Sequence, residues 1–200
     1  LCHVLDLGAN VDCPAEQLVE FAIMGAAAAA ELSGNPAPRV GLLNIGSETH
    51  KGNRQVRQAA ALLQVCPAIN YVGSVEGDGL FRGEADVVVC DGFVGNVLLK
   101  ASEGVAGYLQ AELRSAVADS WLLRWLAPLV LHATRSTRER HDPARYNGAS
   151  LLGLRGVVMK SHGSADEEAI LAAIGHTLKA CQARLPERIA GRVRECGAVL

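Results

Sequence analysis

The sequence has no overall excess of positive charge: 19 Lys and Arg stand against 21 Asp and Glu, a formal net charge of −2. Nucleic-acid binding, which rests on basic side chains massed against phosphates, is therefore not expected. The six cysteines (Cys2, Cys13, Cys66, Cys90, Cys181, Cys196) fall at wide, irregular spacings without a CxxC pair. That argues against a zinc site, a redox motif or a disulfide framework, and fits reduced thiols in a cytoplasmic protein. Only Cys90 closes an apolar run beside an acid, Asp91, and the ordinary reading of such a residue is a small buried hydrophobe. No GxxxxGKS or GxxxxGKT phosphate loop is present, and Gly77-Asp78-Gly79 does not continue into the spacing of a dinucleotide site, so neither ATP nor NAD is expected, nor any other cofactor or metal. The GxSxG and HExxH motifs of serine hydrolases and zinc proteases are also missing. No apolar stretch reaches the roughly 20 residues of a bilayer span. No N-terminal stretch combines a basic start, an apolar core and a small-residue cleavage site, so nothing in it directs export.

What is present suits one globular domain with a sizeable core: half the residues are apolar and 20% are charged. The chain opens at Leu1 on an apolar run that reads as the middle of a strand, and a fragment of a longer protein is expected. Short β-rich runs alternate with longer Ala- and Leu-rich segments, the pattern of an α/β sheet covered by helices. Strands are predicted over Val4 to Leu7, Arg39 to Ile45, Ile69 to Val72, Ala85 to Cys90 and Leu154 to Met159. Ala85 to Cys90 is too continuously β-branched for a face open to water and belongs in the centre of a parallel sheet. Helices are predicted from Pro14 to about Ser33, from about Gly52 to Val65, from Asn96 toward Ala118, and from Ala165 to Leu185. Residues 119–147 form a separate feature, an apolar helix followed by a polar, basic loop from Thr134 to Asn147.

In open parallel sheets, ligands bind beyond the carboxyl ends of the strands, where loops lead into helix N-termini that favour anions. Three such loops combine Gly with Asn, Ser or Lys. They are Asn44-Ile45-Gly46-Ser47 through Lys51-Gly52-Asn53, Asp91-Gly92-Phe93-Val94-Gly95-Asn96, and Lys160-Ser161-His162-Gly163-Ser164. Glycine lets backbone amides approach a ligand, Asn and Ser add neutral donors, and Lys adds a point charge suited to phosphate. Taken singly, each loop is also what a tight turn requires. Of the six histidines, only His162 lies in one of them.

Read together, the strings LDLGANVDC (Leu5 to Cys13), LLNIGSETHKGN (Leu42 to Asn53), ADVVVCDGFVGNVLLKASEG (Ala85 to Gly104) and VVMKSHGSAD (Val157 to Asp166) closely resemble PlsX-type phosphate acyltransferases. The resemblance spans nearly the whole chain and implies its C-terminal portion of that enzyme. The fold implied is a Rossmann-like three-layer α/β/α sandwich, related to phosphate acetyltransferases and to isocitrate and isopropylmalate dehydrogenases. The reaction implied is transfer of a fatty acyl group from acyl carrier protein to inorganic phosphate, giving acyl phosphate for bacterial phospholipid synthesis. A homodimer is implied, as are peripheral contact with the inner face of the cell membrane and contact with a glycerol-3-phosphate acyltransferase. Family members carry a further N-terminal region with Gly-rich loops, so these 200 residues alone are expected to fold with an incomplete site. Two departures stand out: His50 replaces a usually charged residue, and Asn147 takes the first place of a common Gly-Gly pair.

On this resemblance Lys51 and Lys160 position phosphate with backbone amides near Gly95 and Gly163, Asn96 donates to the developing oxyanion, and His162 assists or orients. Asn44, Gly46, Gly52, Asn53, Asp91, Gly92, Lys100, Ser161 and Ser164 complete the expected phosphate and substrate contacts. The run Trp121 to Leu131 is apolar and is followed by Arg135, Arg138 and Arg140. Trp121, Leu122, Trp125, Leu126 and Leu129 are expected to meet an anionic membrane surface, the alternatives being a dimer interface or a core helix. Two rival readings stay open: a related enzyme using acyl-CoA or acetyl-CoA, and a noncatalytic scaffold for membrane or acyl carrier protein.

Overall fold

The computed structural model describes residues 2–133, 147–163 and 165–197. Ser164 and the basic residues Arg135, Arg138 and Arg140 lie outside the described residues. Those described among 1–99, 151–158 and 178–200 form one compact unit, and those among 100–150 and 159–177 a second.

The first unit is built on β1 (His3–Leu5), α1 (Ala15–Ser33), β2 (Arg39–Leu43), α2 (Arg54–Gln64), β3 (Asn70–Val75), the short α3 (Gly79–Arg82) and β4 (Val87–Val89), and β4 leads into α4 (Gly92–Asp119). Its four strands run in the order β1-β4-β2-β3, and every pair is parallel. The β-branched run of β4 lies between β1 and β2, and Val87, Val88 and Val89 are each 0% exposed, as its continuous hydrophobicity requires.

Residues alternate along a strand, so the two faces of the sheet carry different cores. On one face Val40, Leu42, Val87 and Val89 pack with Leu18, Val19, Phe21 and Ile23 of α1 and with Ala59 and Leu63 of α2. On the other, Val88 and Val75 meet Ala85 and the half-buried Leu80 of α3. Gly25 lets α1 lie directly on the sheet, because a Cβ there would stand 2.7 Å from the Cγ1 of Val87. Pro14 occupies the N-cap of α1, and Gly34, with φ 72°, closes it in the left-handed conformation that lacks a steric cost only for glycine.

Two expectations change near the C-terminus. The predicted helix from Ala165 to Leu185 is two helices, α6 (Glu167–Gln182) and α7 (Leu185–Gly197), with Arg184 at φ 49° between them. Leu185 and Ile189 of α7 bury against Ala27 and Ala28 of α1, and Arg188 reaches Glu31 at 2.5 Å. The predicted strand from Leu154 to Met159 is not formed. Gly153 turns the chain with φ 81°, and only Met159–Lys160 (β6) pairs, antiparallel to Ala149–Ser150 (β5) in the second unit. The remaining described elements of that unit are the later turns of α4, α5 (Trp121–Ala133) and the first turns of α6.

Candidate active site

Parallel register sets the carboxyl ends of the first unit's strands along one rim: Leu5 lies beside Val89, Val89 beside Leu42, and Leu43 beside Val75. The loops after β1, β4 and β2 therefore leave from neighbouring strands at the edge where open α/β sheets bind ligands.

The loop after β2 is closed by Asn44. Its side-chain amide donates to the Lys51 carbonyl at 3.3 Å and to Ser74 Oγ at 3.0 Å, while its Oδ1 accepts from the Ile45 amide at 2.9 Å. Gly52 turns there with φ 91°, and a Cβ on it would overlap Asn44 Oδ1. A Cβ on the buried Gly46 would stand 3.1 Å from Lys51 Cγ, so the lysine stem lies across this glycine. Asn53 caps α2 by accepting from the Val56 amide at 2.8 Å. Asn44 and Asn53, expected as phosphate contacts, thus spend these side-chain groups on the loop itself. The Lys51 amine has no hydrogen-bond or ion-pair partner among the described residues.

The loop after β4 is similarly self-satisfied. Asp91 Oδ1 accepts from the Val94 amide at 2.7 Å, Gly95 N donates to the Asp91 carbonyl at 2.9 Å, and Gly92 N donates to the Asn10 carbonyl at 2.7 Å. Gly92 and Gly95 act as a notch: a Cβ on Gly92 would come within 2.6 Å of the Asn10 carbonyl oxygen, and one on Gly95 would overlap the Asp6 carbonyl oxygen. The amide of Gly95, expected to help cradle phosphate, is committed inside the helix. Asn96, just after this first turn, is exposed, and its side chain has no hydrogen-bond partner among the described residues.

The residue that sequence reasoning passed over is Asp6. Only 5% exposed, its carboxylate accepts from the amides of Gly8 (2.8 Å), Ala9 (2.9 Å) and Asn10 (2.8 Å) and from the Asn10 side chain (2.8 Å). Burial alone would raise its pKa, but the hydrogen bonds from Ala9, Asn10 and Gly8 outweigh it and hold the carboxyl below the usual Asp range. The available signal was an Asp at a strand end followed by Gly-Ala-Asn, a pattern suited to an Asx-type turn.

Cys90 is not a nucleophile in waiting. Its thiol donates to the Asp6 carbonyl at 3.5 Å, and burial, with Asp91 and Asp6 adding to it, pushes its pKa up to about 12. At neutral pH it is therefore held as the thiol, the form that is not nucleophilic.

The second unit holds Lys160, Ser161, His162 and Gly163. Asn147, 8% exposed, organises them: it donates to Ser161 Oγ at 2.8 Å and to the Ala169 carbonyl at 2.8 Å, and accepts from the His162 amide at 3.0 Å. The sequence departure at this position is therefore a clamp on the loop after β6. Lys160 is exposed, and its backbone pairs with that of Ala149. Lys100 is occupied with Glu103 at 2.8 Å; that bond holds the Glu103 carboxyl below its usual range, with His162 adding to the effect.

The rim thus unites Asn44, Gly46, Lys51, Gly52 and Asn53 with Asp91, Gly92, Gly95 and Asn96, whereas Lys100, Lys160, Ser161, His162 and Gly163 belong to the second unit. A cavity of about 180 Å³ lined by Pro38, Pro67, Ile69 and Arg192 lies at the amino ends of β2 and β3, away from this rim. Among the described residues no group of three His, Cys, Asp or Glu could hold a metal ion.

Comparison with known proteins places the chain in a family. Residues 2–188 match the family model described as "Fatty acid synthesis protein". The chain is 54% identical over 192 residues to a phosphate acyltransferase of Pseudomonas paraeruginosa (strain DSM 24068 / PA7), covering 96% of this chain and 57% of that protein. It is 55% identical over 192 residues to one of Stutzerimonas stutzeri (strain A1501), covering 96% of this chain and 54% of that protein. With one of Pseudomonas fluorescens (strain Pf0-1) it shares 54% identity over 194 residues, 97% of this chain and 57% of that protein. The chain spans little more than half the length of these relatives. A match that runs through the strands, the rim loops and α6 leaves one assignment: the chain belongs to the fatty acid synthesis protein family of PlsX-type phosphate acyltransferases.

Proposed function

We propose that this chain supplies the Lys51 and Asn96 half of a phosphate acyltransferase that converts fatty acyl-acyl carrier protein and inorganic phosphate to acyl phosphate and free carrier protein. The observation that carries this reading is that two groups without a partner among the described residues, the Lys51 amine and the Asn96 amide, lie on the segments that follow the carboxyl ends of the adjacent strands β2 and β4. Attack of a phosphate oxygen on a thioester forms a C–O bond and a tetrahedral oxyanion, whose collapse breaks the C–S bond. The site must therefore hold a multiply charged nucleophile and then stabilise new negative charge. Lys51 serves the first need and Asn96 the second. The thiolate leaves without a strong acid, because its pKa is about 8.5. The roles proposed for Lys160, on phosphate, and for His162, in assisting departure, rest on the family's sequence pattern. The kinship to phosphate acetyltransferase and to the dehydrogenase folds, with its three-layer sandwich, is part of this reading, and the parallel sheet supports it.

The test is hydroxylamine trapping of acyl phosphate made by the full-length protein from acyl-acyl carrier protein and phosphate, alongside a panel of acyl-CoA and acetyl-CoA. Carrier-dependent hydroxamate is expected. Turnover of the CoA esters alone would favour the first rival, and calorimetry without phosphate binding, combined with no hydroxamate, would establish the noncatalytic scaffold.

A peripheral membrane role for α5 is proposed with it. Among the described residues no helix is long and apolar enough to cross a membrane. Yet Trp121, Trp125 and Leu129 stand 75%, 80% and 66% exposed, an apolar face suited to the shallow zone of a bilayer. The wild-type protein is expected to sediment with anionic vesicles and Leu126→Glu to remain in the supernatant. A wild type that stays soluble, with a mass halved by Leu126→Glu, would instead assign the face to a second copy of the chain.

A further inference from the structure

Three consecutive amides, those of Gly8, Ala9 and Asn10, converge on one carboxylate. Runs of amides arranged like this form concavities that in many proteins take up an external anion. Here the concavity is filled from within by Asp6, which is also bonded by the Asn10 side chain. The first crossover of the sheet therefore does not offer these amides to phosphate.

The backbone of Asp6 is stitched to β4: its amide donates to the Cys90 carbonyl at 3.0 Å, and its own carbonyl lies against Gly95 and receives the Cys90 thiol. From that fixed point the loop returns across the first turn of α4. The Asn10 carbonyl accepts from Gly92, and a Cβ on Gly92 would stand 3.0 Å from the Cα of Gly8. Gly8, at φ 132°, lies against Asn96, where a Cβ would be 3.6 Å from both the Cβ and the Oδ1 of that asparagine. Every contact in this sequence lies within one compact unit.

We propose that Asp6 is a positioning residue: its carboxylate is an internal anion that folds residues 8–10 into the wall holding the Asn96 side chain on the carboxyl rim. This inference rests on the reading of Asn96 as the oxyanion donor. Without the carboxylate the amides of residues 8–10 lose their common acceptor, the loop is free to leave α4, and Asn96 samples rotamers that miss the oxyanion. A misplacement of about 1 Å is enough to lower turnover by about 100-fold.

The test exploits the space left by truncation. Asp6→Ala in the full-length protein leaves a carboxylate-sized gap ringed by four N–H donors, which formate fits. Its kcat is expected to fall by about 30-fold or more, with the KM for phosphate within about threefold of wild type. Added formate is expected to restore at least about fivefold of the lost rate, and not to raise the rate of the wild type or of Asn96→Ala. Wild-type turnover in Asp6→Ala, or a loss that formate does not relieve in a protein with a native circular dichroism spectrum, overturns the proposal. Should Asp6→Ala fail to fold, Asn10→Ala removes one of the four bonds and decides: a fall in kcat of about fivefold sustains the role, and an unchanged kcat removes it. Asn96→Ala separates the two levels. If that variant turns over normally, the assignment of Asn96 itself is wrong; if it is inactive while Asp6→Ala is normal, only the positioning role fails.

Discussion

Asn96→Ala in the full-length protein is expected to lose about 10²- to 10³-fold in kcat while keeping the wild-type circular dichroism spectrum. That loss corresponds to about 2.7–4 kcal/mol of barrier for one oxyanion donor. Exposure of Asn96 and its lack of a partner among the described residues mean that truncation removes no internal hydrogen bond. Lys51→Ala is expected to weaken catalysis comparably but through a different parameter. It removes the charge that holds the nucleophile, so the KM for phosphate rises along with the fall in kcat. Hydroxylamine trapping at varied phosphate reads both. Turnover within about threefold of wild type in Asn96→Ala would remove the oxyanion role, since even a weak donor contributes more than that. The contrast with Asn44 sharpens the reading: its amide and carbonyl close the loop onto Lys51, Ser74 and Ile45, so a loss there would arise through folding.

How far the sequence could be read depended on whether a feature was local. The run from Val87 to Val89 announced a central parallel strand because burial on both faces leaves a continuous β-branched signature. Loops rich in Gly and Asn at strand ends could be found for the same reason, and three strands, β1, β4 and β2, do bring their ends to one rim. What could not be read was which hydrogen-bonding groups those loops would keep for themselves. Asn53 reads equally well as a ligand contact or a helix cap until α2 is seen to begin at Arg54. A glycine-rich sequence does not tell that the Gly92 and Gly95 amides bond to the Asn10 and Asp91 carbonyls, or that both glycines pack against a chain segment about 85 residues earlier. Helix α7 escaped notice because its burial is supplied by α1, more than 150 residues away, and only the break at Arg184 separates it from α6. Leu154 to Met159 failed as a strand for the opposite reason, because Gly153 and Gly156 interrupt an apolar run that composition alone favours.

Gly95→Ala is expected to destabilise the protein by about 3 kcal/mol or more, although the position is helical and alanine is the better helix former by about 1 kcal/mol. The sign turns on a single overlap. A Cβ at this position would occupy the space of the Asp6 carbonyl oxygen and stand 3.0 Å from the Cys90 sulfur, and both neighbours are fixed by the pairing of β1 with β4. Relief would require α4 to withdraw from the loop of residues 6–10, breaking the Gly92 to Asn10 hydrogen bond and moving Asn96 off the rim. Gly104→Ala and Gly107→Ala are controls in the same helix, because a Cβ at either meets nothing within 4 Å, and each is expected to gain up to about 1 kcal/mol. Urea denaturation of the three variants reads the difference directly in the midpoint. If Gly95→Ala proves as stable as its controls, α4 does not lie against the loop after β1, and the proposal that Asn96 is held on the same rim as the Lys51 loop loses its structural basis.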